Sequence, residues 1–234
     1  MAPLTVADHI LFALFAFALP LLMIWRQESS QIVIPEDSDL KIRIYWTNSM
    51  VLWIGALIVV GLWFFYGRPF TAMGMRLPEA SSFPHWMLLI AGFLLFYFAD
   101  AMISWNSADE HPASAILPAN WREFAHFGTV VSLSAGICEE IVFRGFIVNY
   151  LLVFTAGHEY SIQIAIMGSA LVFGIVHAYQ GGLALLKITL LSMLFAWLFV
   201  MTKSLLLLIA LHFTIDFCSG MMAVIRKKEE NALA

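Results

Sequence analysis

Glu139, Glu140 and Arg144 stand in the stretch SAGICEEIVFRGF, residues 134–146, inside a run otherwise apolar enough for a lipid bilayer. An ionisable side chain at the centre of a membrane helix costs about 2.5 to 3.5 kcal/mol, so the three together burden one helix with roughly 8 to 10 kcal/mol. Such a helix needs partners. Glu140 and Arg144 are four apart and share a helical face, so an intrahelical ion pair is a sufficient structural account of those two. Glu139 is turned about 100° away, in line with Phe143 and Phe146, and needs polar surroundings of its own. The small residues of SLSAG just before it let another helix approach where the carboxylate points.

Two later apolar helices supply groups that could line such a pocket. FGIVH places Phe173 and His177 at i, i+4, and HFTID does the same with His212 and Asp216. A lone histidine in an apolar helix is ordinarily a hydrogen-bonded core residue, and HAYQGG after His177 reads as a helix end. The set carries more than its members: three helices, within fewer than 80 residues, each present a polar or aromatic pair at helical spacing. The remaining histidines, His9, His85, His111, His126 and His158, fall at helix ends or in connectors and read as solvent or interface residues, as does Asp100.

In this order the motifs EExxxR, FxxxH and HxxxD resemble those of the CPBP family, the CAAX prenyl endopeptidases and bacteriocin-processing enzymes also called Abi proteins. The resemblance covers about residues 124–217. It implies a glutamate-dependent intramembrane endopeptidase without a cofactor, in which Glu139 is the general base, His177 helps to hold the attacking water, and His212 with Asp216 stabilises the oxyanion; Glu140, Arg144 and Phe173 are supporting residues. The family's prenyl endopeptidases usually carry Asn where this chain has Asp216, and an ionised Asp repels an oxyanion. Asp216 is thus a protonated donor, an acceptor that orients His212, or a metal ligand. In the last case Glu139, His177, His212 and Asp216 would hold Zn²⁺ with bound water as nucleophile, although a helical HExxH pair is absent.

The elements that must position these residues are helices. Of 234 residues, 62% are hydrophobic and 12% charged, a balance that one water-soluble core could not hide. Apolar runs predict seven membrane helices, near 9–25, 46–66, 85–104, 124–152, 160–178, 182–201 and 204–225, an all-α polytopic bundle. No Lys or Arg precedes the first run, so the first helix reads as retained rather than as a cleaved signal. With the N-terminus outside, the inner side collects Arg26, Lys41, Arg43, Arg122, Arg226, Lys227 and Lys228, against Arg68, Arg76 and Lys203 outside, which favours N-out and C-in in a bacterial inner membrane. The connectors 26–46 and 67–84 read as interfacial, with Ser38 or Asp39 as a helix cap and Tyr45 and Trp46 at the headgroup level.

One membrane domain results, with N-terminal helices and connectors over 1–123, catalytic helices over 124–225 and a basic cytoplasmic tail over 226–234. Cys138 and Cys218 lie in apolar segments and read as small hydrophobes. The net charge of -4 without a basic stripe excludes nucleic acid as a partner, leaving a peptide or membrane-protein substrate and the lipid bilayer. Two other classes compete: a non-catalytic scaffold or immunity protein, whose polar trio merely locks the bundle, and an ion-coupled transporter, which normally shows paired repeats that this chain lacks.

Overall fold

The computed structural model describes residues 3–29, 37–78, 83–103 and 116–233. Among these there is no strand, and the helices form seven long stretches at the places the apolar runs predict. They are α1 (6–29), α2 (Ser38–Phe65), α3 (Phe83–Ile103), α4 (121–154), α5 (Ser161–Val176), α6 (Gly182–Thr202) and α7 (Leu205–Leu233). Four segments, Val6–Trp25, Ser38–Phe65, Gly182–Thr202 and Leu205–Glu230, are long and apolar enough to cross a membrane by themselves. The protein is an integral membrane helix bundle.

Helix α4, the charged one, is not among these four, and the fold answers its charges by placing it at the centre. From Ala135 to Leu151 only Ile137 and Glu139 escape full burial, as expected of a helix apolar on all sides and surrounded by others. Its neighbours leave distinct marks. From α2, Trp53 Nε1 donates to Ser134 Oγ at 3.0 Å; from α5, Ser169 Oγ donates to the Phe143 carbonyl at 3.1 Å; from α1, Phe12 stacks on Tyr150 at 4.1 Å.

Helix α7 comes closest. A Cβ on Gly136 would sit 3.1 Å from Phe213 N and 3.2 Å from Ile209 O, both backbone atoms of α7, so the small residues before Glu139 do admit a neighbouring helix. A second close approach joins α5 to α6, where a Cβ on Gly174 would overlap the Thr189 hydroxyl.

Over Ala135–Val148 the backbone of α4 is wound as a π helix, a form that usually appears as single turns and often at functional sites. Closure from i to i+5 widens each turn, so a step of seven residues no longer makes two turns. Phe146, which α-helical winding would align with Glu139, is instead packed on Phe15 of α1, while Phe143 at i+4 packs against Phe173 of α5. A shorter π turn, Leu14–Ala18, precedes Pro20 in α1, where the missing N–H of proline leaves the Ala16 carbonyl without its usual partner.

Both ends of the bundle are pinned by buried ion pairs. At one end Arg68 forks onto both oxygens of Asp8 at 2.8 and 2.6 Å and lies between Trp63 and Tyr66. At the other, Glu123 of α4 receives the Lys41 ammonium at 3.2 Å, the Ala119 N–H at 2.8 Å and the Ser38 hydroxyl. The cap of α2 is Asp37, accepting from Leu40 N, rather than Ser38 or Asp39: Ser38 is instead turned to Glu123. Tyr45 is not at the headgroup level but buried, donating to the Ile116 carbonyl at 2.7 Å. Trp46 remains half exposed beside His126, and His9 and His158 are exposed as expected. His111, connector residues 30–36 and 79–82, and the side chains of His85 and Asp100 lie outside the described residues.

Two predictions follow from this packing. Gly136→Ala forces backbone apart at a helix contact and should cost about 1 to 3 kcal/mol, read as a lower midpoint of thermal unfolding in detergent; Gly61→Ala, which meets nothing within 4 Å, should leave it unchanged or slightly higher. Burial disfavours the Glu123 carboxylate, but the Ala119 N–H, the Ser38 hydroxyl and the Lys41 charge outweigh it and hold its pKa below the ordinary value. A depressed folded value means stability present at neutral pH and lost as pH falls through the acid range below about 4.3. Glu123→Gln should therefore flatten the acid limb of the midpoint-versus-pH curve.

Candidate active site

The sequence-predicted residues converge where α4, α5, α6 and α7 meet. Arg144 is 1% exposed and Glu140 fully buried. Arg144 Nη1 donates to Glu140 Oε1 at 2.9 Å, and Nη2 donates to Ser192 Oγ of α6 at 2.9 Å. The guanidinium is sandwiched by two rings, 4.8 Å from the centroid of Phe173 and 5.3 Å from that of Phe195, an arrangement that suits a planar, weakly hydrated cation. The same Glu140 oxygen also accepts from His212 Nδ1 of α7 at 2.8 Å. Glu140 is therefore fully committed to structure through one oxygen; among the described residues its other oxygen, and Arg144 Nε, have no hydrogen-bond partner.

Glu139 is placed differently. Its side chain is 12% exposed, and its Oε2 lies 3.8 Å from His212 Nε2. Asp216 Oδ2 lies 3.6 Å from that same nitrogen, with its side chain 30% exposed. Exposure thus rises from Glu140 through Glu139 and His212 to Asp216, which gives the cluster an inner structural side and an outer side open to a ligand. Both gaps around Nε2 are too long for direct hydrogen bonds and of a length at which a bridging solvent molecule has to be considered.

The hydrogen bonds fix the roles of the ring nitrogens. His177 Nδ1 lies 2.7 Å from the Phe173 carbonyl, which can only accept, so Nδ1 carries the proton and Nε2 of the neutral ring is an acceptor. His212 follows the same logic, with Nδ1–H spent on Glu140. His177 closes α5, with its ring 4.5 Å from that of Phe173, so it reaches the cluster through the ring that also covers Arg144 and lies 6.4 Å from the His212 ring. Gly181, at φ 101°, turns the chain from there into α6, a conformation that suits glycine.

Sequence reasoning missed Ser192 and Phe195. Both sit in the featureless run LLSMLF, and the one available signal was a hydroxyl in the middle of an apolar span. Among the described residues no group of three His, Cys, Asp or Glu side chains is arranged to hold a metal ion. A cavity of about 320 Å³ lies elsewhere, lined by Asp8, Arg68, Phe146, Asn149 and Tyr150, and holds none of the carboxylate–histidine cluster.

Breaking one partner of a buried pair strands the other charge. Arg144→Met should therefore destabilise the bundle by about 3 to 5 kcal/mol, measured by thermal unfolding in detergent and by abundance in membranes, with Ser192→Ala costing far less.

Residues 121–218, from the first turn of α4 to just past Asp216, match the family described as type II CAAX prenyl endopeptidase Rce1-like. The match covers less than half of the chain, and it contains every residue of the cluster. No curated protein and no solved structure matches the chain. With the three motifs in order on α4, α5 and α7, the matched segment built around them is similar to the CAAX-type membrane endopeptidases.

Proposed function

We propose that this membrane endopeptidase is of the glutamic type, with Glu139 as the general base. The carrying observation is the division of labour between two adjacent carboxylates. Glu140 is consumed by Arg144 and His212 Nδ1, whereas Glu139 Oε2 faces His212 Nε2 across 3.8 Å, a gap that a water can bridge.

In this reading Glu139 takes a proton from that water as its oxygen adds to the scissile carbonyl, and returns the proton to the leaving amine. His177, whose Nε2 is an acceptor in the neutral ring, helps to hold the water. His212 and Asp216 lie on the side where the oxyanion forms. Asp216, 3.6 Å from His212 Nε2, serves as an acceptor facing that nitrogen when both nitrogens of His212 carry protons, a role that requires no donation from an ionised carboxylate. The rings of Phe143, Phe173 and Phe195 exclude water from the inner side, which strengthens each electrostatic contact.

A regular helix hides its peptide bonds, so the substrate is an unwound segment near its own terminus or at the membrane interface. The family points to the C-terminal region of a CAAX-type protein or a processed peptide. With the N-terminus outside and the tail inside a bacterial inner membrane, the turn after His177 and the open side near it face the cytoplasm.

The test compares cells carrying the wild type, Glu139→Gln and His177→Ala by terminal proteomics of the membrane fraction. New termini present with the wild type should fall about 10²- to 10⁴-fold with Glu139→Gln, the range for a lost acid–base group, and should also fall with His177→Ala, with each variant at normal abundance. A chelator control reads the zinc alternative, in which Glu139, His177, His212 and Asp216 serve as ligands: cleavage abolished by the chelator and restored by Zn²⁺ would replace the glutamic mechanism.

A further inference from the structure

Three Lys or Arg side chains are described at the end of the bundle where α2 stops, α3 begins and α6 turns into α7: Arg68, Arg76 and Lys203. Arg68 is answered by Asp8. Arg76 and Lys203 have no carboxylate partner among the described residues, yet the chain stitches the two together. Arg76 Nε donates to the Lys203 carbonyl at 3.1 Å, Ser204 Oγ donates back to the Arg76 carbonyl at 2.6 Å, and Leu205 N donates to the Gly74 carbonyl at 2.7 Å. Lys203 holds φ 53°, a left-handed conformation that favours glycine, so a cation is kept where the backbone favours a residue without a side chain. Burial, and after it the charge of Arg76, hold the ammonium below its ordinary pKa, as expected of like charges side by side.

The surrounding spans set the depth of this pair. Lys203 lies between Gly182–Thr202 and Leu205–Glu230, both long and apolar enough to cross a membrane, so it stands at the edge of the hydrocarbon, where the headgroup region begins. Ser204 Oγ already accepts from Leu207 N at 3.2 Å, which leaves the positive charge to the two side chains rather than to the end of α7.

An apolar groove starts beside the pair and runs inward. It encloses about 310 Å³ between α3 and α7, lined by Pro78, two residues after Arg76, by Leu207, four after Lys203, and by Trp86, Ile90, Ala91 and Leu94 of α3. From Trp86 to Leu94 it follows α3 for about 12 Å. At one end of this stretch Trp86 packs edge-on against Trp197 of α6, with centroids 5.2 Å apart; beyond the other, the Tyr97 and Ser219 hydroxyls meet at 2.9 Å. Two cations at headgroup depth and an apolar slot leading from them suit one kind of ligand, an anion that carries a hydrocarbon chain.

We propose that Arg76, Lys203 and the groove between α3 and α7 form a binding site for an anionic phospholipid, with its phosphate on the two cations and one acyl chain along α3. A guanidinium fork matches phosphate geometry, and each Lys or Arg near the membrane surface strengthens the attraction to anionic headgroups by about fivefold. A lipid so placed fills the gap beside α3 and holds that helix against α7. The site contains none of the carboxylate–histidine cluster, so the inference is independent of the glutamic reading.

Binding is read without cleavage, on the full-length protein in detergent, by native mass spectrometry during titration with dioleoylphosphatidylglycerol. Lys203→Gly removes the charge while relieving the left-handed backbone, so it should melt no lower than the wild type and bind this lipid about fivefold more weakly; adding Arg76→Gln should bring the loss to about 30-fold. Ala91→Trp, which fills the groove and keeps both charges, should also weaken binding, whereas Arg226→Gln, at the far end of α7 and paired with Glu230, should leave it unchanged. Dioleoylphosphatidylcholine, with the same chains and no net charge, should bind about tenfold more weakly or worse, and millimolar inorganic phosphate should not displace the anionic lipid. Equal affinity in the wild type and the Lys203→Gly, Arg76→Gln variant, or for the two lipids, would overturn the headgroup assignment. Unchanged binding in Ala91→Trp would overturn the groove, and displacement by inorganic phosphate would show a site for free anions in place of a lipid.

Discussion

A guanidinium buried in the middle of a membrane protein has no water to retreat to, and most of what is particular about this fold follows from where Arg144 finds its partners. One bond goes to Glu140 in its own helix, another to Ser192 of α6, and its two faces are covered by Phe173 of α5 and Phe195 of α6. Glu140 then draws in His212 of α7. Four helices are thereby tied to one charge. A buried pair of this kind contributes less to stability than its short distances suggest, because desolvation offsets the attraction. Its effect is to specify which faces meet. By absorbing Glu140, it also leaves the adjacent carboxylate of Glu139 without a structural task.

The rest of the bundle holds that arrangement in register. Gly136 brings α7 against the backbone of α4 one turn before Glu139, and the π winding from Ala135 to Val148 keeps Glu139 and Phe143 toward α5 and α7 while turning Phe146 toward α1. Lys41 with Glu123 and Arg68 with Asp8 pin the bundle at its two ends. The turn after α5 is a different kind of element, where His177, Tyr179 and Gln180 leave the regular helix and are ordered by their own short-range bonds.

Much of this was legible in the sequence, because a bilayer makes charges conspicuous. Three ionisable residues in one apolar run had to be paired or functional, and spacing alone separated Glu140 and Arg144 from Glu139. The small residues before Glu139 announced the approach of α7. What stayed hidden had physical reasons. Ser192 carries no charge, so a serine inside LLSMLF gave no signal that it receives an arginine. Phe146 was misaligned because the sequence was read with α-helical winding, and no local pattern marks a π helix of this length. The α2 cap fell on Asp37 because Ser38 was claimed by Glu123, a tertiary partner 85 residues away. Tyr45 carries the mark of an interfacial aromatic, yet its hydroxyl found a buried carbonyl.

The central claim is that two neighbouring glutamates have been given different work, and its most direct measurement is paired unfolding and turnover of purified Glu139→Gln and Glu140→Gln in detergent. The account predicts that Glu139→Gln unfolds within a few degrees of the wild type and has no measurable turnover, whereas Glu140→Gln unfolds at clearly lower temperature because Arg144 and His212 lose their shared acceptor. A well-folded Glu139→Gln that still turns over, or a Glu139→Gln as destabilised as Glu140→Gln, would contradict it.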